Sequence, residues 1–385
     1  SVLPAEKRNS ALFVQLGSGN INIYVMENSK MVDTYSLKIG GLRINELFEE
    51  SLDSPKDYVQ VIREYLTPFF ETLSDAIPEK LSQFIVSGNE IQTIASMCNA
   101  TNSLDFSIME RTAFTKMYKK AKEKGTEAIS MEYDIPQEEV EVLLPSLIVL
   151  NRLLKYTVND SILLSNVLLS DAVMFEMLFP KEASFVVKAY EEFTLQSATS
   201  IAERFGRDTG HISRVSSVAL EIYDKMKKLH GYKLRERTLL QVSAILQDIG
   251  KYVNVRNHAL LSYNTITNLD IVGINDHERL IIATVCYYHN GNIPSMDSPI
   301  YNQLSQEDRV MVSKLAAILQ ISNAINTSHS PKFEQVSVNM KNGKLNIYLT
   351  TLKNINLEKW AFIAKTKLFR EVYGLNATII KRGVL

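Results

Sequence analysis

The sequence has no long uninterrupted apolar run, no surplus of either charge and very little cysteine. Each shortage removes a class of function. The greasiest stretches, residues 142–154 and 162–179, are interrupted by Pro145, Asn151, Asn166 and Asp171. Both fall short of the about 20 consecutive apolar residues that a membrane helix needs. No basic-then-apolar segment resembling a secretion signal is seen, which predicts a cytoplasmic protein with no membrane partner. Lys and Arg number 42 against 43 Asp and Glu. No global field therefore draws in DNA, although a local basic channel stays open. Cys98 and Cys286 are far apart in apolar, helix-like surroundings, which predicts two reduced, buried thiols rather than a disulfide or a metal site. Internal repeats, low-complexity tracts and flexible linkers are also missing.

What is present suits two or three domains in 385 residues. Residues 11–16, 20–26 and 31–38 read as strands, with Gly17-Ser18-Gly19 and Glu27-Asn28-Ser29-Lys30 as turns. An amphipathic helix is predicted over 57–77, kinked at Pro68. Phe84-Ile85-Val86 reads as a short buried strand that passes through Ser87-Gly88 into a helix. Such a passage can aim a helix N-terminus at an anion. Further helices are predicted over 107–124 and 137–155, with a buried strand over 161–165. From about 185 to 325 the periodicity is almost purely helical, ending in a helix over 310–325 and the breaker run 326–331. Strands at 336–340 and 344–350 flank Asn342-Gly343, a hairpin signal. A helix over 357–373 and a strand over 376–381 complete a small α/β unit.

Two groups of residues carry possible chemistry. The glycines of the Gly17-Ser18-Gly19 turn leave backbone N–H groups open to a phosphate. Gly17, Ser18, Gly19, Asn20, Gly88 and Asn89 are therefore candidate phosphate contacts. In the helical region, His211 follows Asp208-Thr209-Gly210 at a helix start, Gln247-Asp248 precedes Ile249-Gly250-Lys251, and Asn323 lies in the last long helix. His230, His277 and His329 carry no motif and are expected at the surface or at helix ends.

In their order of appearance these stretches resemble the exopolyphosphatase / guanosine-pentaphosphate phosphatase (Ppx/GppA) family. Residues 15–22 are similar to its phosphate loop D-x-G-G-G-S-x-E, and residues 36–43 to S-L-x-L-G-x-V-R. Residues 87–92 are similar to its strand-to-helix turn. The likeness continues through Tyr133-Asp134-Ile135-Pro136, residues 143–154 and Leu164-Ser165-Asn166 to Leu357-Glu358-Lys359-Trp360 and residues 369–375. It implies an α/β plus α chain. An actin-like (ribonuclease-H-like) second half-domain would occupy 1–180, an HD-like all-α domain 181–330 and a small C-terminal α+β domain 331–385. The family's first α/β half, with its water-activating carboxylate, has no room in the ten residues before Ala11, so no catalytic residue is assigned.

The resemblance also implies Mg²⁺ and a polyphosphate or guanosine-polyphosphate partner. Gln15 and Asn22, however, stand where the family loop has Asp and Glu, and Mg²⁺ needs carboxylate anchors. An HD site follows H…HD…D. Here it reads His211, Gln247, Asp248 and Asn323, with two amides among the four, so no metal is expected there. Arg43, Arg256, His258 and His289 are candidates to line a polyanion route. An unpaired half-domain would expose apolar surface, so a homodimer is expected. The expected function is phosphoanhydride hydrolysis, weak or absent in this chain, or else binding of phosphates without turnover.

Overall fold

The computed structural model describes residues 10–383 except 29, 49–54, 75–76, 79, 89, 103–105, 168 and 342. Asn89 and Asn342 thus lie outside the described residues. The chain divides into two compact units, Ser1–Ala189 and Tyr190–Leu385. No helix among the described residues is long and apolar enough to cross a membrane.

The first unit opens with β1 (Ser10–Leu16), β2 (Ile21–Glu27) and β3 (Lys30–Leu37), an antiparallel meander. Then come α1 (Gly41–Phe48), α2 (Pro55–Ser74), β4 (Gln83–Ser87) and α3 (Glu90–Met97). β5 (Thr101–Asn102), β6 (Phe106–Glu110), α4 (Arg111–Tyr133), α5 (Gln137–Leu153) and β7 (Ser161–Ser165) follow. α6 (Leu169–Leu178) precedes α7 (Pro180–Arg204), which carries the chain into the second unit. One sheet runs in the order β3-β2-β1-β4-β7-β6-β5. β1, β4 and β7 are its parallel centre. Central strands buried on both faces should read as continuous apolar runs, and Phe84, Ile85, Val86, Ile162, Leu163 and Leu164 are all buried.

One predicted element changes. Residues 107–110 form strand rather than helix, because Ser107 and Met109 alternate into the core while the segment pairs with β7. The helix starts instead at Arg111, whose backbone N–H donates to the Asp160 carbonyl and whose guanidinium binds the carbonyls of Leu154, Thr157 and Asn159. The apolar stretch 162–179 splits into buried β7 and α6, where Met174, Met177 and Leu178 are exposed.

The second unit continues with α8 (Thr209–Lys225), α9 (Lys227–His230), α10 (Leu234–Leu246) and α11 (His258–Ile266). α12 (Asp276–Tyr288), α13 (Pro299–Asn302) and α14 (Gln306–Ile325) complete the helical run. β8 (Gln335–Lys341), β9 (Lys344–Thr350), α15 (Asn356–Tyr373) and β10 (Asn376–Arg382) end the chain. β9 pairs antiparallel with β8 and parallel with β10. Leu345, Ile347, Leu349, Phe362 and Phe369 join the same buried cluster as the helical residues Val215, Leu240, Ile282 and Leu315. Helices and small sheet therefore share one core.

Candidate functional sites

The glycine hairpin joins β1 to β2, closed by the Gly17 N–H donating to the Asn20 carbonyl at 2.9 Å. Ser18, Gly19 and Asn20 are exposed. Two other segments press against the loop from beneath. A Cβ on Gly40 would lie 2.2 Å from the Ser18 carbonyl oxygen, and one on Gly88 would lie 2.4 Å from that of Leu16. Gly88 also has φ of +145°, a conformation side chains rarely adopt. The glycines that the fold requires here are thus Gly40 and Gly88. Gly19 meets nothing within 4 Å and keeps its backbone open. Arg43, exposed on α1, has its backbone N–H on the Ser18 carbonyl at 3.3 Å. The predicted Gly17–Asn20, Gly88 and Arg43 are therefore neighbours in one surface region of this unit.

Gln15 and Asn22 face each other across the β1–β2 ladder. The Asn22 amide donates to Gln15 Oε1 at 3.3 Å, and the Asn20 amide donates to Asn22 Oδ1 at 3.2 Å. Tyr24 Oη also donates to Gln15 Oε1, at 3.5 Å. These neutral side chains satisfy one another in a line. The Mg²⁺ that the family resemblance implies does not fit this set, because a hard cation is held by charged oxygen donors and neither position supplies one.

The second site lies within the helical unit. α8 begins after Asp208, whose side chain caps the Gly210 N–H at 2.8 Å, and this sets His211 in the first turn. α10 ends at Leu246, and a single tight turn, Ile249–Tyr252, carries the chain past Asp248. That turn is pinned to α11: the Gly250 N–H donates to Ser262 Oγ at 2.9 Å, and the hydroxyl donates to the Gln247 carbonyl at 2.8 Å. A Cβ on Gly250 would sit 2.3 Å from the His258 carbonyl oxygen, so only glycine lets the helix come this close. His258 opens α11. His289 follows the last turn of α12, which Gln320 holds by donating to the carbonyls of Tyr288 and Asn292.

These elements bring Asp248, His258 and His289 together. Asp248 Oδ1 lies 3.3 Å from His289 Nε2 and 3.6 Å from His258 Nε2, and the two Nε2 atoms are 3.3 Å apart. All three residues are buried. The other carboxylate oxygen, Oδ2, accepts from Lys251 Nζ at 2.7 Å and lies 3.6 Å from His211 Nε2. Burial alone would push the Asp248 carboxyl up. The His211 imidazole and the Lys251 ammonium outweigh it and hold the carboxyl well below the usual range. Burial, and then the neighbouring His289, push His258 down. Lys365 of α15 is also pushed down by burial, opposed by the Asp248 charge.

His211 takes a different role from His258 and His289. Its Nδ1 meets the Asn326 amide at 2.7 Å. Arg214 Nε donates to Asn326 Oδ1 at 3.3 Å, which turns the amide N–H toward the imidazole. Nδ1 therefore accepts, and the ring proton of neutral His211 sits on Nε2, facing Asp248. The asparagine in contact with His211 is thus Asn326, and no described hydrogen bond joins the Asn323 side chain to the cluster. Gln247 is buried with both amide atoms unpaired among the described residues. Arg256 lies in the exposed segment 252–257 beside His258.

Two of the motif-free histidines stand where they were expected, His329 exposed beyond the end of α14 and His230 as the last residue of α9. His329 stacks on His211 with ring centroids 4.0 Å apart, held there by the turn after α14. His230 is buried, its Nδ1 accepting from the Tyr232 N–H at 3.0 Å and its Nε2–H donating to the Tyr223 carbonyl at 2.8 Å. His277 is exposed and pairs with Asp308 at 2.9 Å. Sequence reasoning assigned His258 and His289 to a polyanion route and Asp248 to a broken metal site. Their convergence is a long-range contact that spacing does not encode. The closest local sign was Gly250 ahead of His258.

A family model described as Ppx/GppA phosphatase, domain III, matches residues 195–368. The chain is 20% identical over 322 residues to a guanosine-5'-triphosphate,3'-diphosphate pyrophosphatase of Photobacterium profundum. That match covers 80% of this chain and 60% of the relative, so the chain spans about three fifths of the relative's length. Among solved structures it is similar to an exopolyphosphatase from Cytophaga hutchinsonii, at 16% identity and TM-score 0.38, covering 45% of this chain and 58% of that one. It is also similar to the Aquifex aeolicus Ppx/GppA family member, at 18% identity and TM-score 0.37, covering 46% and 58%.

Proposed function

We propose, from the match of residues 195–368 to the Ppx/GppA phosphatase domain III model and the likeness to a curated relative, that this chain is a Ppx/GppA-type protein that binds the phosphates of polyphosphate or guanosine polyphosphate at the glycine hairpin without hydrolysing them there. The strand order 3-2-1-4-7, with β2 antiparallel to its neighbours, supports a ribonuclease-H-like half-domain, whose loops at the ends of β1 and β4 face the ligand. The observation that carries the reading is the Gln15–Asn22–Asn20 amide line. Open backbone at Ser18 and Gly19 suits an anion. The neutral amides beside it leave no charged anchor for the metal that phosphoanhydride cleavage uses.

A second reading is hydrolysis. The likeness to the Ppx/GppA family favours it, and the curated relative is named as a pyrophosphatase of a guanosine phosphate. Equilibrium binding of inorganic polyphosphate to the wild type and to Gly19→Val separates site from surface. Binding that weakens on substitution and is insensitive to Mg²⁺ supports the proposal. Binding unchanged by Gly19→Val places the ligand elsewhere.

A further inference from the structure

We propose that Asp248, His258 and His289, all within the second unit, hold a first-row divalent cation, with Zn²⁺ as the best-matched probe. The argument begins with protons. His258 Nδ1 lies 2.8 Å from the Val255 carbonyl and His289 Nδ1 lies 2.5 Å from that of Cys286. A carbonyl oxygen only accepts, so each ring carries its proton on Nδ1. Both Nε2 atoms then present lone pairs, and they present them to each other and to Asp248 Oδ1. That oxygen is buried and has no hydrogen-bond partner among the described residues. Three acceptors converging in a buried space repel one another unless a cation lies between them.

The spacing suits a metal. Donors about 2.0–2.1 Å from a tetrahedral Zn²⁺ stand about 3.3–3.4 Å apart. The three separations here are 3.3, 3.3 and 3.6 Å. Two imidazoles and one carboxylate leave a fourth position open, as in zinc sites that bind a water or a substrate. The surroundings resemble those of a metal-ligating shell. Each imidazole is oriented by a carbonyl on its far nitrogen, and the second carboxylate oxygen is held by Lys251 and faces the Nε2–H of His211. These ligands differ from the four-position pattern read from the sequence. The sequence pattern of His211, Gln247, Asp248 and Asn323 led to an expectation of no metal, whereas the proposed ligand set is Asp248 with His258 and His289.

The test uses the chelator-stripped 385-residue protein titrated with Zn²⁺ by calorimetry, and with Co²⁺ followed by its visible absorption. The expected result is close to one ion per chain and a rise in unfolding temperature on adding Zn²⁺. Stoichiometric binding should be lost in His289→Gln and in Asp248→Asn. His211→Gln should weaken it by about 10–100-fold, the usual effect of a group behind a ligand. His277→Ala, an exposed histidine outside the cluster, should leave it unchanged. The wild-type titration needs no variant to fold. Absence of saturable binding by folded wild type would overturn the proposal, because the cluster would then be holding a proton on an imidazole. Binding retained in both His289→Gln and His258→Ala would overturn it as well.

Discussion

Gly250 and Ser262 lock the turn after Asp248 to the first turns of α11, through the Gly250 N–H on Ser262 Oγ at 2.9 Å. This contact, rather than any direct bond, sets where His258 stands relative to the carboxylate. Gly250→Ala would place a methyl 2.3 Å from the His258 carbonyl, against backbone that cannot rotate away. We expect a loss of about 2–3 kcal/mol in unfolding free energy. Ser262→Ala should cost about 1–3 kcal/mol by leaving buried backbone groups unpaired. Urea unfolding of both variants checks this. Wild-type stability in Gly250→Ala would show that α11 is not seated as described.

The His230 contacts make a prediction about acid. Nδ1 accepts and Nε2–H donates, so the folded protein holds this imidazole neutral. Burial pushes it down from its ordinary value. The unfolded chain therefore binds a proton that the folded chain does not. Stability from this residue is intact above about pH 6.5, the free-histidine range, and falls as pH drops below it. Unfolding measured between pH 7.5 and 5.5 should show that loss, and His230→Gln should show a smaller dependence on pH over the same window. An identical slope in the variant would remove His230 from the account.

The two thiols should be inert in the native protein. Both are buried and free. Burial pushes Cys98 up to about 12 and Cys286 well above its ordinary value, and only the thiolate is nucleophilic. Alkylation should be slow in buffer and complete in denaturant. Rapid modification of either under native conditions would contradict their placement.

Much of the fold was legible in the sequence because its signals are local. The Ser161–Ser165 strand and the Lys344–Thr350 strand have the expected bounds, since short apolar or alternating runs between turn residues leave little choice. Residues 107–110 were misread because a four-residue segment ahead of a long helix has too few periods to show its alternation. Its strand character comes from β7, far along the chain. The glycine loop could be read from Gly17 to Asn20, but the glycines that the close contacts demand, Gly40 and Gly88, take their roles from contacts across the sheet. The same holds for the second site. Counting motif positions treated Asp248 apart from His258 and His289, whereas tertiary packing unites them and sets aside Asn323 in favour of Asn326.

Restoring carboxylates at the hairpin should change how phosphate is bound. In Gln15→Asp with Asn22→Glu, two charges replace the amide line. Polyphosphate binding should weaken without metal, through repulsion, and recover on adding Mg²⁺. Binding that ignores Mg²⁺ in this variant would mean that these positions do not face the ligand.

Phosphate release and polyphosphate binding, measured on the same wild-type sample in Mg²⁺ and in EDTA, test the central claim most directly. The account predicts binding in both conditions and no release in either, because open backbone at Ser18 and Gly19 remains while the charged anchors do not. Sustained, Mg²⁺-dependent release of phosphate that is abolished by Gly19→Val would contradict it and make the hairpin a working hydrolase site.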